Sequence, residues 1–286
     1  MKVAYGYPLQ SAPPAPELLT GAAVAAIAAA AESAGFAAFA LSDHPAPPER
    51  WRRSGGHDAL DPFVGLAFAA AATTRLRLLT CLVVLPYRNP FLLAKSVASL
   101  DVLSGGRVEL GLGTGYLRHE FAALGVDFDQ RNGLFDEALT VLKQVWTGNP
   151  VGDIVALPRP AQRPHPPLWL GGNSSRTRRR VIEHGAGWLT LPNARASAHV
   201  LRSPALETMA DLRALLTDLR AGRTEPVRVM YCMPDGDDEF RRCRETAEQL
   251  AELGVEWLLV NGRGRTAAQA LEWIERCRLD FLYTCQ

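Results

Sequence analysis

Several short runs of polar and small residues directly follow apolar stretches that are typical of strands. The first of these runs is Ser42-Asp43-His44-Pro45. An imidazole exchanges protons near neutral pH, and a neighbouring carboxylate shifts its pKa. His44 is therefore suited to general acid–base chemistry or to stabilising a developing charge. The alternative is a histidine that only bonds the backbone of its own loop.

The second run, Gly111-Leu112-Gly113-Thr114-Gly115-Tyr116, carries glycine at alternate positions. Because these glycines remove side chains from one face of a strand, a flat ring could approach the backbone closely. The run is not the dinucleotide fingerprint G-x-G-x-x-G, since Tyr116 stands where its last glycine would be. The same glycines could instead make room for side chains of neighbouring strands.

Two further runs are candidate anion cradles. Gly171-Gly172-Asn173-Ser174-Ser175 opens an arginine-rich helix, and Asn261-Gly262-Arg263-Gly264-Arg265-Thr266 follows the last predicted strand. Backbone N–H groups and the positive end of the helix dipole attract phosphate or carboxylate at such places. Ordinary capping by Asn173 or Ser174 explains the first run equally well. The residues alone do not decide between the two cradles, and most arginines at 176 and 178–180 are expected on a solvated helix face.

A regular alternation of elements would bring these runs together. Strand patterns cover residues 3–7, 38–42, 76–84, 108–111, 168–171, 187–191, 227–230 and 257–260. Helical patterns cover residues 17–34, 62–72, 90–103, 134–146, 175–184, 204–221, 239–253 and 267–278. Eight strand–helix units predict an α/β fold, a single-domain (β/α)8 barrel over residues 1–286, whose strand ends and following loops build the active site. The loop over residues 45–59 is a candidate lid.

Composition excludes several other classes of protein. The 286 residues carry 31 Lys and Arg against 30 Asp and Glu, a balance that predicts binding to neither nucleic acid nor a membrane surface. Five cysteines without a C-x-x-C pair argue against a disulfide framework or a zinc knuckle and favour the cytoplasm. The alanine-rich run over residues 22–31 is too short to cross a bilayer, and we expect it to be a helix packed on the sheet.

Longer stretches carry a family resemblance. They are Leu-Pro-Tyr-Arg-Asn-Pro (85–90), Leu-Asp-Val-Leu-Ser-Gly-Gly-Arg (100–107), Gly-Leu-Gly-Thr-Gly-Tyr-Leu-Arg-His-Glu-Phe (111–121) and Pro-Pro-Leu-Trp-Leu-Gly-Gly-Asn-Ser (166–174). Together with Ser42-Asp43-His44, they resemble the bacterial luciferase-like superfamily, in particular its F420-dependent oxidoreductase branch. The resemblance covers nearly the whole chain. It implies a barrel that holds a flavin or deazaflavin ring at its C-terminal mouth, and it suggests a homodimer.

The resemblance also implies roles for individual residues. His44 would lie beside the reactive centre and stabilise or protonate it during hydride transfer, with Asp43 orienting its loop. Tyr116 and Glu120 are our further catalytic candidates, and the helix after the fourth predicted strand could point either towards the pocket or away from it. A bulge and a non-proline cis peptide would support the ring from behind at Thr80-Cys81-Leu82. The predicted cofactor-binding residues are Asp43, Thr80, Cys81, Leu82, Thr114, Gly115, Gly171, Gly172, Asn173 and Ser174, of which the last four would hold the phosphate.

The expected activity is hydride transfer between F420 and a small organic substrate. Tyr116 stands where relatives that oxidise a sugar phosphate carry glutamate, so that substrate is not expected. The segment over residues 148–167 is shorter than in close relatives within that family, which implies a more open pocket. The main alternative is an FMN-dependent monooxygenase that works with a separate flavin reductase. For the F420-dependent enzyme, the corresponding partner would be an F420 reductase. A cofactor-binding protein without turnover is a further alternative. A metal hydrolase is disfavoured, because the spacing of the available His and Asp residues matches no familiar ligand pattern and no metal is expected.

Overall fold

The computed structural model describes residues 1–9, 16–221, 225–234 and 239–282. Its strands are β1 (Lys2–Gly6), β2 (Ala38–Leu41), β3 (Arg77–Thr80), β4 (Val83–Val84), β5 (Val108–Gly113), β6 (Leu168–Gly171), β7 (Gly187–Thr190), β8 (Val229–Cys232) and β9 (Trp257–Asn261). Its helices are α1 (Gly21–Ala34), α2 (Glu49–Arg53), α3 (Pro62–Ala72), α4 (Pro90–Leu103), α5 (Arg118–Ala123), α6 (Arg131–Trp146), α7 (Ser175–His184), α8 (Ala198–Leu201), α9 (Met209–Arg220), α10 (Glu239–Glu252) and α11 (Ala267–Asp280).

The strands close into one parallel barrel. They follow the order β3-β2-β1-β9-β8-β7-β6-β5-β4, and β3 also pairs with β5. Both β3 and β4 pair with β5, so they are the two halves of one interrupted strand. Counted in this way, the described part of the chain forms a barrel of eight strands, and the predicted (β/α)8 fold is confirmed. Side chains such as Leu79, Trp169 and Leu259 fill the interior, while the outward faces of the strands join the larger core beneath the helices. No helix within the described ranges is long and apolar enough to span a membrane.

Local sequence signals explain where most helices begin and end. Asp61 and Asn89 cap α3 and α4 by accepting two backbone N–H bonds each, and a proline follows each cap as the first helical residue. Gly35 and Gly185 end α1 and α7 with φ angles of 97° and 64°, as predicted. Gly254, which follows α10, also has a positive φ of 67°.

The third predicted strand, over residues 76–84, is interrupted in the structure. Leu79 pairs with Glu109, and Val83 pairs with Leu112, so four steps along one strand match three along the other. Thr80 accounts for this bulge, because its hydroxyl donates to the Gly111 carbonyl at 2.8 Å and accepts from the Gly111 N–H at 2.9 Å. The implied non-proline cis peptide is confirmed between Cys81 and Leu82.

Other predicted boundaries shift for local reasons. The helix expected over residues 204–221 begins only at Met209, because Thr208 and Asp211 form a capping box there. The strand expected over 227–230 runs from Val229 to Cys232. Short helices α2, α5 and α8 in the loops after β2, β5 and β7 have no counterpart among the predictions.

The loop before β3 yields a pH-dependent prediction. Partial burial raises the pKa of Glu32, but the backbone N–H groups of Arg75, Leu76 and Thr74 outweigh it and hold the pKa below its ordinary value. A lowered carboxyl pKa stabilises the fold above the unfolded-state pKa, and this stabilisation is lost as the pH falls through the folded-state pKa. We expect Glu32→Ala to lower the free energy of unfolding by about 1 kcal/mol at neutral pH and by less near pH ~3. Urea denaturation at both pH values measures this, and equal losses at both would contradict it.

Candidate active site

A cavity of about 240 Å³ opens at the C-terminal ends of the strands. It lies where a (β/α)8 barrel places its active site. Most predicted site residues line it, namely Asp43, His44, Cys81, Leu82, Thr114, Gly115, Tyr116, Gly171, Gly172, Asn173 and Ser174. Thr80 and Glu120 do not line it. Thr80 is fully buried and holds the bulge, while Glu120 lies behind His44.

His44 is held by a buried carboxylate. Its Nδ1 lies 3.3 Å from Oε2 of Glu120, whose side chain is 1% exposed. The same carboxylate accepts the Tyr87 hydroxyl at 3.0 Å and the Ala46 backbone N–H at 3.2 Å. When Nδ1–H donates to the carboxylate, Nε2 of the neutral ring remains as the acceptor. The helix α5, whose orientation the sequence left open, thus directs Glu120 to the back of His44.

Aromatic side chains surround His44. Its ring centroid lies 4.6 Å from that of Trp51, 5.0 Å from that of His57 and 6.4 Å from that of Tyr116. Trp51 and His57 come from the predicted lid segment, in which α2 forms a single short helix. Burial raises the pKa of the Tyr116 phenol, so that it remains a proton-bearing donor at neutral pH.

Asp43 joins the end of β2 to the interrupted strand. Its carboxylate accepts the Val84 N–H at 3.1 Å and a guanidinium N–H of Arg88 at 2.9 Å. Arg88 also contacts Asp61, the cap of α3, at 3.1 Å. Burial raises the pKa of Asp43, although the Arg88 charge opposes that shift. Asp43 therefore connects the loop that carries His44 to β4 and to Arg88.

The floor of the cavity is built around Leu82. A Cβ placed on Gly113 or Gly171 would lie 2.4 Å or 2.1 Å from the Leu82 side chain, and one on Gly111 would lie 2.0 Å from the Thr80 carbonyl oxygen. These three glycines thus make room for the bulged strand. This agrees with the alternative that the glycines of the Gly111 to Tyr116 run accommodate neighbouring strands. Cys81 and Leu82, whose connecting peptide is cis, present the apolar surface of the floor to the cavity.

The start of α7 forms a cradle beside this floor. Gly172 has a φ of 119°, a conformation that favours glycine, and a Cβ there would lie 3.2 Å from the Thr177 hydroxyl. The Ser174 hydroxyl caps α7 by accepting the Thr177 N–H at 3.1 Å. The side-chain amide of Asn173 donates to the backbone carbonyls of Leu191 and Pro204 and accepts the Leu191 N–H. Asn173 therefore holds the cradle in place through the neighbouring loop.

The other arginines and the second cradle lie elsewhere. Arg178 pairs with Asp218 of α9 and Arg180 with Asp136 of α6, and both arginines are buried, so the expectation of a solvated arginine face is wrong for these two. Residues 262–266 of the competing cradle do not line the cavity. Within the described part of the chain, no group of three or more His, Cys, Asp or Glu side chains is arranged to hold a metal ion.

Several lining or supporting residues were not assigned a role from the sequence. Tyr87 and Arg88 belong to one of the stretches that carry the family resemblance. Tyr87 bonds Glu120 and Arg88 bonds Asp43, and because each pair is more than 30 residues apart in the chain, the local sequence does not reveal these contacts. Arg131 and Arg202 also line the cavity. Arg131 begins α6, and Arg202 follows α8, a helix that the sequence pattern did not predict. No local signal in the sequence marks these two arginines as site residues.

Comparison with known proteins gives the family. The family model described as luciferase-like monooxygenase matches residues 6–231. Rv0953c, an uncharacterized protein of Mycobacterium tuberculosis (strain ATCC 25618 / H37Rv), is 30% identical over 244 residues, which are 82% of this chain and 79% of that protein.

Two solved structures share the fold over the whole chain. The oxygenating constituent of 3,6-diketocamphane monooxygenase from the CAM plasmid of Pseudomonas putida, in complex with FMN, has a TM-score of 0.74 at 16% identity and is covered to 99%. The coenzyme F420 dependent tetrahydromethanopterin reductase of Methanopyrus kandleri has a TM-score of 0.69 at 15% identity and is also covered to 99%. With the family model matching most of its length, the chain belongs to the luciferase-like monooxygenase family and is an oxidoreductase.

Proposed function

We propose that this chain is an F420-dependent oxidoreductase that transfers a hydride between the deazaflavin ring and a small organic substrate. The observation that carries the proposal is the cavity in which His44, backed by Glu120, faces the Cys81–Leu82 floor and the glycine cradle. The fit to a phosphate-bearing cofactor rests on Gly172, where a side chain would fill the space in front of α7. FMN, which the structure of the diketocamphane monooxygenase constituent contains, has a ring and a phosphate of the same kind and is the alternative cofactor.

Each part of the cavity then has a task. Gly171, Gly172 and Ser174 would hold the phosphate at the N-terminus of α7, where backbone N–H groups and the helix dipole favour an anion. Cys81, Leu82, Thr114 and Gly115 would border the ring. The cofactor supplies the hydride chemistry, and the protein supplies orientation and electrostatics.

His44 would manage the proton that accompanies hydride transfer. Its Nδ1 is held by the Glu120 carboxylate, so that Nε2 is available to accept a proton from the substrate hydroxyl or to return it to a carbonyl oxygen. The Tyr116 phenol, kept protonated by burial, would donate a hydrogen bond to the substrate oxygen.

Cofactor titration tests the proposal. Fluorescence titrations of the purified full-length chain with F420, and separately with FMN, should give tight binding of F420. Gly172→Ala should weaken that binding about tenfold or more, because the added methyl enters the cradle and forces an unfavourable φ. Gly133→Ala is the matched control, since a Cβ there would meet no atom within 4 Å. Selective FMN binding would support the monooxygenase with a separate reductase instead, and binding of neither would overturn both functions.

We also propose that the chain forms a homodimer through α3 and α4. Four large apolar side chains on these adjacent helices are strongly exposed, namely Val64 (61%), Phe68 (51%), Leu92 (71%) and Leu103 (83%). Large exposed apolar side chains on neighbouring helices commonly mark a protein interface.

Light scattering tests the proposed dimer. Phe68→Glu would place a charge in the interface and should convert a dimer to a monomer, because burying an unpaired carboxylate is costly. Leu279→Glu, on the exposed side of α11, should leave the mass unchanged. A wild-type monomer at micromolar concentration would contradict the proposal.

A further inference from the structure

Two cysteine side chains meet inside the barrel at the base of the cavity. Cys81 directly follows β3 and Cys232 ends β8, and both pack against the apolar cluster that fills the barrel interior. The strand order β3-β2-β1-β9-β8 places them on opposite walls, so their side chains meet across the interior. Both are reduced thiols, and the Cys232 S–H donates a hydrogen bond to the Cys81 sulfur.

Small residues leave room around this contact. A pocket of about 30 Å³ lies beside Cys81, and Gly6, Ala40 and Leu259 are among the residues that line it. Leu259 is the ladder partner of Cys232, so the pocket lies on the side of Cys81 that faces β8. A disulfide requires two sulfur atoms to approach from hydrogen-bonding distance to about 2.05 Å. The pocket gives the Cys81 side chain space to rotate towards Cys232.

The two thiols differ in access and in proton affinity. Cys81 lines the cavity and Cys232 does not, so a small oxidant that enters the cavity reaches Cys81 first. The hydrogen bond to Cys81, together with burial, raises the pKa of the Cys232 thiol, which therefore stays protonated at neutral pH. Since the thiolate is the nucleophile, Cys81 is suited to attack an oxidant and Cys232 to resolve the product.

We propose that Cys81 and Cys232 are a peroxide-reactive thiol pair that closes to a disulfide and thereby weakens cofactor binding. In the first step the Cys81 thiolate attacks hydrogen peroxide, so that an S–O bond forms, the O–O bond breaks and hydroxide leaves. In the second step the Cys232 sulfur attacks the Cys81 sulfenic acid, and water leaves with the Cys232 proton as the S–O bond breaks. In total, two thiols and one peroxide give one disulfide and two water molecules.

The first step prepares the second. Oxidation of Cys81 removes the thiolate whose charge and hydrogen bond both raise the pKa of Cys232. Cys232 can then lose its proton more easily as it attacks. The new bond draws Cys81 towards β8 and away from the floor that it forms with Leu82. This effect on the cofactor rests on the proposed function, because it requires a ring on that floor.

Peptide mapping under non-reducing conditions tests the pair. The purified full-length chain would be treated with a small molar excess of hydrogen peroxide, digested, and analysed by mass spectrometry before and after reduction with dithiothreitol. We expect a disulfide between Cys81 and Cys232 that dithiothreitol reverses. Cys277, which is 1% exposed in the core beneath the helices, is the internal control and should stay a thiol. Cys81 recovered only as thiol or as sulfinic acid would overturn the proposal.

Cys232→Ser separates the two steps. Without the resolving thiol, the sulfenic acid of Cys81 should persist, and dimedone present during oxidation should label Cys81 about tenfold more than in the wild type. Equal labelling of Cys81 in both proteins would show that Cys232 does not resolve the sulfenic acid, which would overturn the proposal.

Fluorescence titration with F420 distinguishes the thiol pair from the proposed function. The disulfide form should bind F420 about tenfold more weakly than the reduced form, whereas reduced Cys232→Ser should bind like the reduced wild type. Equal affinities of the reduced and disulfide forms would overturn the proposed effect on the cofactor. If the disulfide forms in a chain that binds neither F420 nor FMN, the thiol pair stands and the proposed function fails.

Discussion

Replacing His44 with alanine should lower the rate of hydride transfer about a hundredfold to ten-thousandfold, the range expected for loss of a general acid–base group. The affinity for the cofactor should change by less than about threefold, because the phosphate cradle and the Cys81–Leu82 floor remain intact. The measurement follows the visible absorbance of the cofactor in a single turnover, with the first substrate that a panel of alcohols and carbonyl compounds identifies.

His184→Ala is the matched control for His44. His184 is half-buried at the far end of α7 and does not line the cavity, so its loss should leave the rate unchanged. Cofactor affinity and rate falling in parallel for His44→Ala would mean that the imidazole only supports binding. An unchanged rate would remove His44 from the chemistry altogether.

Replacing Glu120 should affect both stability and activity. Glu120→Ala leaves the Tyr87 hydroxyl and the Ala46 N–H without their acceptor in a buried site, and we expect it to lower the free energy of unfolding by about 3 kcal/mol. Burial, together with the Glu120 charge, raises the pKa of Tyr87, so this phenol stays protonated and must find another acceptor. Thermal and urea denaturation measure the loss.

Glu120→Gln separates positioning from packing. The amide oxygen still accepts one of these hydrogen bonds, so most of the stability should return. The hydride-transfer rate should nevertheless stay about tenfold lower, because the charge-assisted hydrogen bond that orients the His44 ring through Nδ1 is lost. Full recovery of the rate in Glu120→Gln would show that Glu120 has only a structural role.

The alternation of strands and helices could be predicted because each unit carries its own signals. These signals lie within a few residues of the element that they mark. They are the short apolar runs of the strands, the prolines after the Asp61 and Asn89 caps, and the helix-ending glycines at 35 and 185. The break within residues 76–84 is different. It depends on the Thr80 hydroxyl meeting Gly111 on a strand about 30 residues away, and a continuous apolar pattern does not reveal it.

The candidate site divides in the same way. His44 and the Gly172 cradle follow strand ends directly, so the barrel prediction alone assigns them to one mouth. The orientation of Glu120 could not be predicted, because α5 is a short helix in a loop and its direction is set by contacts with Tyr87 and Ala46. Arg202 is the extreme case, since it follows a helix that no sequence pattern predicted.

A crystal structure of the chain with bound F420 tests the central claim most directly. The account predicts the ring against the Cys81–Leu82 peptide with its reactive carbon in contact with His44, and the phosphate at Gly172 and Ser174. An F420 molecule bound with its ring away from His44, or with its phosphate at residues 261–266 at the end of β9, would contradict it.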